Sequence, residues 1–310
     1  MNNKDVILPI LLIMFSIGLH GCDKEKDSGD SATVSVVVPG YLDVNTGLRI
    51  ASFGSRECGN TYFYYADNGK IDYVTRGNYR KYDFSPDGKQ ITYTYRDPDN
   101  EYSKEDGTYT LNYDVFGRLS SVGISITDRH EDGNRNTIGT ERGGASFTYD
   151  KLGYLESMSL SLRDSWSTTY SNGESSGGSD LYSLSISMSW QNNLLQKMIS
   201  IDNEGEDRIY FDTITFIYDN PDYVNKYKQI TPFTSLVFYD EWDIFSCLGL
   251  LGKGPDLLPS EGISRSESRR DGKSDFATES GILHFDFMNN GAIIRFNDLC
   301  DFTYDYGVIR

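Results

Sequence analysis

The chain has 310 residues carrying 46 acidic and 29 basic side chains, a net charge of −17, with 38% hydrophobic and 14% aromatic residues. An apolar fraction of this size fills the core of one large β domain or two ordinary domains, so disorder is excluded as the overall state. The charge excludes nucleic acid as a partner, because a polyanion is repelled and no run of Lys or Arg reverses the field locally.

Lys4 opens a short polar segment, and the apolar run from Val6 to Leu19 has the length of a signal-peptide core, too short to span a bilayer comfortably. It ends in Leu19-His20-Gly21-Cys22. This resembles a bacterial lipoprotein signal, in which the Cys is acylated and becomes the first residue of the mature chain. Leu19 and Gly21 match that pattern, whereas His20 departs from its usual small residue. The resemblance implies a signal peptide over residues 1–21, lipid attachment at Cys22 and a membrane partner through that anchor. Residues 22–32 are charged and have nothing to bury, so they read as a solvated tether. An acidic run next to the acylated Cys resembles the export signal of Bacteroidota-type surface lipoproteins; a plain soluble spacer reads the same way. Asp30-Ser31-Ala32 and Asp212-Thr213-Ile214 both resemble the Asp-Ser/Thr-small motif for O-glycosylation in such bacteria.

From residue 33 to 310 the chain reads as one all-β domain, a large antiparallel meander forming a curved sheet or barrel. Asp67-Asn68-Gly69 separates the strand signals at Tyr62–Tyr65 and Ile71–Val74, and Pro86-Asp87-Gly88 separates Tyr82–Phe84 from Ile91–Tyr95. Further on, Val122, Ile124 and Ile126 alternate with Ser121, Gly123 and Ser125, and Met158, Leu160 and Leu162 with Ser157, Ser159 and Ser161. The same period recurs over Leu184 to Trp190. It is the period of a strand with one dry and one wet face. Tyr113-Asp114-Val115-Phe116-Gly117-Arg118-Leu119 and Tyr149-Asp150-Lys151-Leu152-Gly153-Tyr154-Leu155 share Tyr-Asp-x-x-Gly-x-Leu, with weaker copies at Tyr65, Phe84 and Tyr304. Local chemistry explains the motif: an aromatic closes a strand, Asp or Asn caps the turn, and Gly takes the positive φ. It resembles the YD repeat of Rhs-type β proteins, with uneven spacing. One segment breaks the alternation. Phe238, Trp242, Phe245 and Leu248 recur at helical spacing, which predicts one helix over 235–251, across the sheet's open end or inside its curve.

Together with the lipoprotein signal and the Tyr-Asp hairpins, Tyr218-Asp219-Asn220-Pro221, Leu248-Gly249-Leu250-Leu251-Gly252-Lys253 and Leu257-Leu258-Pro259-Ser260 resemble a family of gut-bacterial lipoproteins. That family carries a domain of unknown function described as porin-like. The resemblance implies a large, curved antiparallel β structure in the envelope and brings no catalytic residues. A pore needs strands of about 9–11 residues with an apolar lipid-facing band, and the alternating strands here show fewer apolar positions.

Catalytic constellations are poor. Gly173-Glu174-Ser175-Ser176-Gly177 matches the nucleophile-elbow pattern but sits in a Ser/Gly-rich loop before a strand, and the mature chain holds only His130 and His284. His130 reads as a solvated loop residue. No cofactor or metal is expected. Cys58, Cys247 and Cys300 make no zinc pattern, form at most one disulfide and read as buried small hydrophobes. Asp97, Asp99 and Glu101 alternate as calcium-loop ligands do, but Tyr102 stands where the loop needs Gly. The expectation is a non-catalytic protein, lipid-anchored in the outer membrane at the cell surface, with Tyr102, Trp166 and Tyr170 holding a glycan or a partner protein. The alternatives are an accessory subunit of an envelope complex, a pore, or an enzyme on polysaccharide.

Overall fold

The computed structural model describes residues 37–55, 59–98, 100, 103–204, 208–234, 236, 241–270, 273–297 and 299–307. Cys22, the tether, Cys58, Asp99, Glu101, Tyr102 and Phe238 lie outside the described residues. The first half of the chain forms β1 (Tyr41–Asp43), β2 (Leu48–Ser55), β3 (Gly59–Tyr65), β4 (Ile71–Arg76), β5 (Arg80–Phe84), β6 (Gln90–Arg96), β7 (Ser103–Tyr113), β8 (Leu119–Asp132) and β9 (Arg135–Tyr149). Then come β10 (Leu155–Tyr170), β11 (Ser175–Gln191), β12 (Leu194–Glu204) and β13 (Arg208–Ile217), followed by α1 (Thr231–Thr234) and α2 (Glu241–Cys247). The chain finishes with β14 (Glu261–Arg270), β15 (Lys273–Ile282), β16 (Phe285–Phe287), β17 (Ile293–Phe296) and β18 (Cys300–Tyr306).

All ladders are antiparallel, and from β2 to β15 each strand pairs with the next in sequence, as a meander requires. The last strand, β18, returns to pair with β2. No ladder among the described strands joins β15 to β16, so the hydrogen-bonded sheet stays open there. The chain itself crosses that seam: the Leu283 N–H bonds Ser260 O at 2.9 Å on one side, and His284 O accepts from the Asn297 N–H at 2.8 Å on the other.

The alternation read in the sequence is the burial pattern. Met158, Leu160, Leu184, Ile186 and Met188 are buried, while Ser159, Ser185, Ser187 and Ser189 on the opposite face are exposed. The outward face of these strands is therefore seryl, the reverse of a lipid-facing band. Inside the curve, α2 brings Trp242 to 5.9 Å from Phe147 and Phe245 to 6.5 Å from Tyr109, ring centre to ring centre. The helix is shorter than the predicted 235–251: it runs from Glu241 to Cys247, and Leu248–Leu251 form a turn in which Gly249 takes φ +72°. Those turn residues are tied into the sheet by their backbones, with Leu250 O accepting from Leu119 N–H and Leu248 O from Gly40 N–H. Cys247 and Cys300 are buried, and burial, with Asp243 nearby, raises the Cys247 pKa.

The Tyr-Asp turns are more than local. Asp114 Oδ1 accepts the N–H groups of Phe116 and Arg118 at 2.9 and 3.0 Å, and Asp150 Oδ1 those of Leu152 and Tyr154, both at 2.9 Å. Gly117 and Gly153 take φ +80° and +94°, as the motif demands. Burial raises the Asp114 pKa, but the hydrogen bond from Arg118 and those two amides outweigh it and hold the carboxyl below its usual range. The preceding tyrosines reach across to an earlier hairpin. Tyr113 donates to Gly88 O at 2.7 Å, Tyr149 to Leu119 O at 2.8 Å and Tyr218 to Leu195 O at 2.7 Å. Trp190 Nε1 does the same toward Leu155 O at 2.7 Å. Each of these turns is thus latched to its neighbour by a half-buried aromatic donor, and burial pushes the Tyr113 phenol up to about 12.

Candidate functional site

Strands β8 to β11 are far longer than the core needs. The period of 2 keeps parity along each strand, and past Ile126, Gly143, Leu162 and Tyr182 the inward positions turn mostly polar, with Asp128, Glu141, Asp164 and Asp180 next in line. Gly143 and Gly144 lie at this transition, where neighbouring strands come closest. A Cβ on Gly143 would sit 2.0 Å from Ser161 O, and one on Gly144 2.4 Å from Val122 O, so the backbones approach too closely for any side chain.

Beyond these glycines, two rows cross the inward face. Ile126, Glu141, Asp164 and Asp180 stand opposite one another on β8, β9, β10 and β11. One step further out, Glu105 on β7, Asp128, Gly139, Trp166 and Gly178 do the same. Except for Asp180 and Gly178, the residues of these rows line, with Arg80 and Tyr93, a cleft of about 390 Å³. Carboxylates directly opposite each other are unfavourable in a sheet. Burial, then the charge of Asp180, raises the Asp164 pKa. Tyr93, buried at the cleft floor, donates to Glu105 Oε2 at 2.6 Å and fixes that carboxylate. Among the described residues no group of three His, Cys, Asp or Glu side chains converges as a metal site.

Trp166 is the cleft's largest side chain. It is 42% exposed, and its cross-strand neighbours on both sides, Gly139 and Gly178, have no side chain. Its ring lies over Gly178, where an added Cβ would come within 2.6 Å of two ring carbons. The indole therefore packs over the backbone of Gly178 and stays partly open to solvent. Tyr170 follows on the same face of β10, about 13 Å further along at the strand rise. It lines a separate hollow at the hairpin tip with Glu131, Asn134 and Ser171. Between them Thr168 is buried and shares a hydrogen bond with Thr137, 3.0 Å between the hydroxyl oxygens.

Of the binding residues expected from sequence, Trp166 and Tyr170 thus share a face but line different hollows. Sequence reasoning missed Glu141, Asp164 and the two glycines; the signal was the parity that runs from Met158 through Leu160 and Leu162 to Asp164 and Trp166. His130, expected in a solvated loop, lies within β8, paired with Ser103 and Thr137, because the hairpin extends two residues beyond it. Ser175, the nucleophile-elbow serine, opens β11 directly after the turn at Gly173, with no helix behind it.

No family model and no curated protein matches the chain. Solved structures similar to it include a porin-like protein from Bacteroides vulgatus ATCC 8482, at 13% identity and a TM-score of 0.48, covering 83% of this chain and 98% of that one. A porin-like protein from Bacteroides uniformis ATCC 8492 is similar at 11% identity and a TM-score of 0.36, over 83% of this chain and 98% of that one.

Proposed function

We propose that the chain is a non-catalytic protein of the outer membrane, anchored by an acylated Cys22 and displayed at the cell surface, whose cleft at Trp166 holds a glycan. The observation that carries the reading is the exposed indole packed over Gly178, with Gly139 opposite on its other side, beside the carboxylates of the cleft. Such a platform takes the C–H face of a sugar ring, while Asp128, Glu141 and Asp164 supply acceptors for its hydroxyls. The seryl outward face of β10 and β11 speaks against a pore.

The test is a glycan array with the mature protein lacking its acyl chain, followed by calorimetry on the glycans retained. Binding is expected, abolished by Trp166→Ala and weakened by Gly178→Ala, whose methyl lifts the ring, with the urea midpoint nearly unmoved. No glycan retained, together with an envelope protein that co-purifies, would replace this reading with an accessory subunit. Polysaccharide hydrolysis lost in Asp164→Asn would replace it with an enzyme. For the anchor, Cys22→Ala is expected to release the protein from the membrane fraction, and unchanged retention would refute it.

A further inference from the structure

The seam left between β15 and β16 exposes an edge. All ten residues of β15 are exposed, Phe276 to 74% and Ile282 to 68%, and β14 is its only ladder among the described strands. Which backbone groups are unused follows from parity. Leu283 bonds Ser260, so the odd residues of β15 point their N–H and C=O toward β14. The even ones, Ser274, Phe276, Thr278, Ser280 and Ile282, point away from it. His284 keeps that parity, turning its N–H to Asn297 Oδ1 at 2.6 Å across the seam.

We infer that β15 pairs antiparallel with β15 of a second copy of this chain, about a two-fold axis at Phe276. Self-complementarity selects this occupant and this register. With Phe276 opposite Phe276, Lys273 of each copy stands opposite Glu279 of the other, giving two opposite-charge pairs on the inward face. Ser274 stands opposite Thr278, and the two phenylalanine rings meet on the outward face, a favourable cross-strand pair. Centring on Thr278 instead places Glu279 opposite Ala277 and loses both ion pairs. The backbone agrees as well, because Phe276 is one of the residues whose N–H and C=O face the open side, so a residue opposite itself exchanges both hydrogen bonds. Each copy has one such edge, so pairing closes at two copies and leaves no β15 free to grow a fibre.

Oxidative trapping with diamide tests the register, using the mature protein in a Cys58→Ser background. Hydrogen-bonded antiparallel partners have Cα atoms about 5.5 Å apart, within disulfide reach. Phe276→Cys is therefore expected to give a covalent dimer, whereas Thr278→Cys, whose two copies lie about 13 Å apart along the strands, is not. Lys273→Glu added to Phe276→Cys should slow trapping several-fold, and Lys273→Glu with Glu279→Lys should restore it. Equal trapping at 276 and 278, no trapping at either, or indifference to the charge exchange would overturn the inference. If trapping appears only after residues 22–36 are deleted, that segment is the occupant, which also overturns it. Glycan binding is read separately, so this reading and that of the cleft fail independently.

Discussion

The aromatic latch makes a sharp stability prediction at Tyr149. Its hydroxyl donates to Leu119 O at 2.8 Å and lies 3.3 Å from Leu250 O, and its ring carries the Arg118 guanidinium 4.2 Å from its centre. Tyr149→Phe deletes one oxygen and leaves the ring, so packing and the cation–π contact persist. Leu250 O keeps the Leu119 N–H at 2.9 Å, but Leu119 O loses its phenol donor. A net hydrogen bond is worth about 1 kcal/mol, and a buried acceptor left short costs about 1–3. The expected loss is about 1–2 kcal/mol, a drop in Tm of roughly 2–4 °C, with the urea m-value unchanged. The measurement is chemical and thermal denaturation beside Tyr306→Phe, which alters a tyrosine 65% exposed near the end of the chain. If the two variants are equally stable, the hydroxyl contributes nothing and the Tyr-Asp motif is only a turn signal.

Two further outcomes follow from the packing and charge described. Asp164 is flanked by Glu141 and Asp180, and its pKa is raised, so folding favours its protonated form: the penalty is absent below the unfolded carboxylate range and full above the folded pKa. Asp164 is exposed, so solvent screens much of this, and Asp164→Asn should stabilise by only a few tenths of a kcal/mol at pH 7; an equal gain in urea midpoint at pH 3 would contradict that sign. Trp242 fills the curve between Phe147 and Phe245, and Trp242→Ala should cost about 3–5 kcal/mol in urea denaturation, a loss below 1 meaning that the helix does not hold the core.

Much of the fold was legible because strand burial is written in a period of 2. Leu184, Ile186 and Met188 against Ser185, Ser187 and Ser189 gave the dry and wet faces directly, and the glycines of the Tyr-Asp turns marked the reversals. The helix was placed correctly and drawn too long, since Leu248, Leu250 and Leu251 are buried by a turn as well as they would be by a helix. The latch was not legible: Tyr113 and Gly88 are far apart in sequence, and only the stacking of hairpins brings them together. For the cleft, parity alone put Trp166 on the inward face. That Gly139 and Gly178 flank it depends on register, which a sequence without fixed turn positions does not reveal.

Pairing of β18 with β2 has a kinetic meaning. Arg49 and Asp305, joined by a 2.6 Å ion pair, are 256 residues apart, while the long ladders from β2 to β13 join neighbours in sequence. Local hairpins can zip up early, but this contact waits for nearly the whole chain and carries the full loop-closure entropy. Until β18 arrives, one side of β2 remains a bare template. The sheet is therefore completed only when the last strand is available, and the order in which the chain becomes free to fold decides how long that template stays bare.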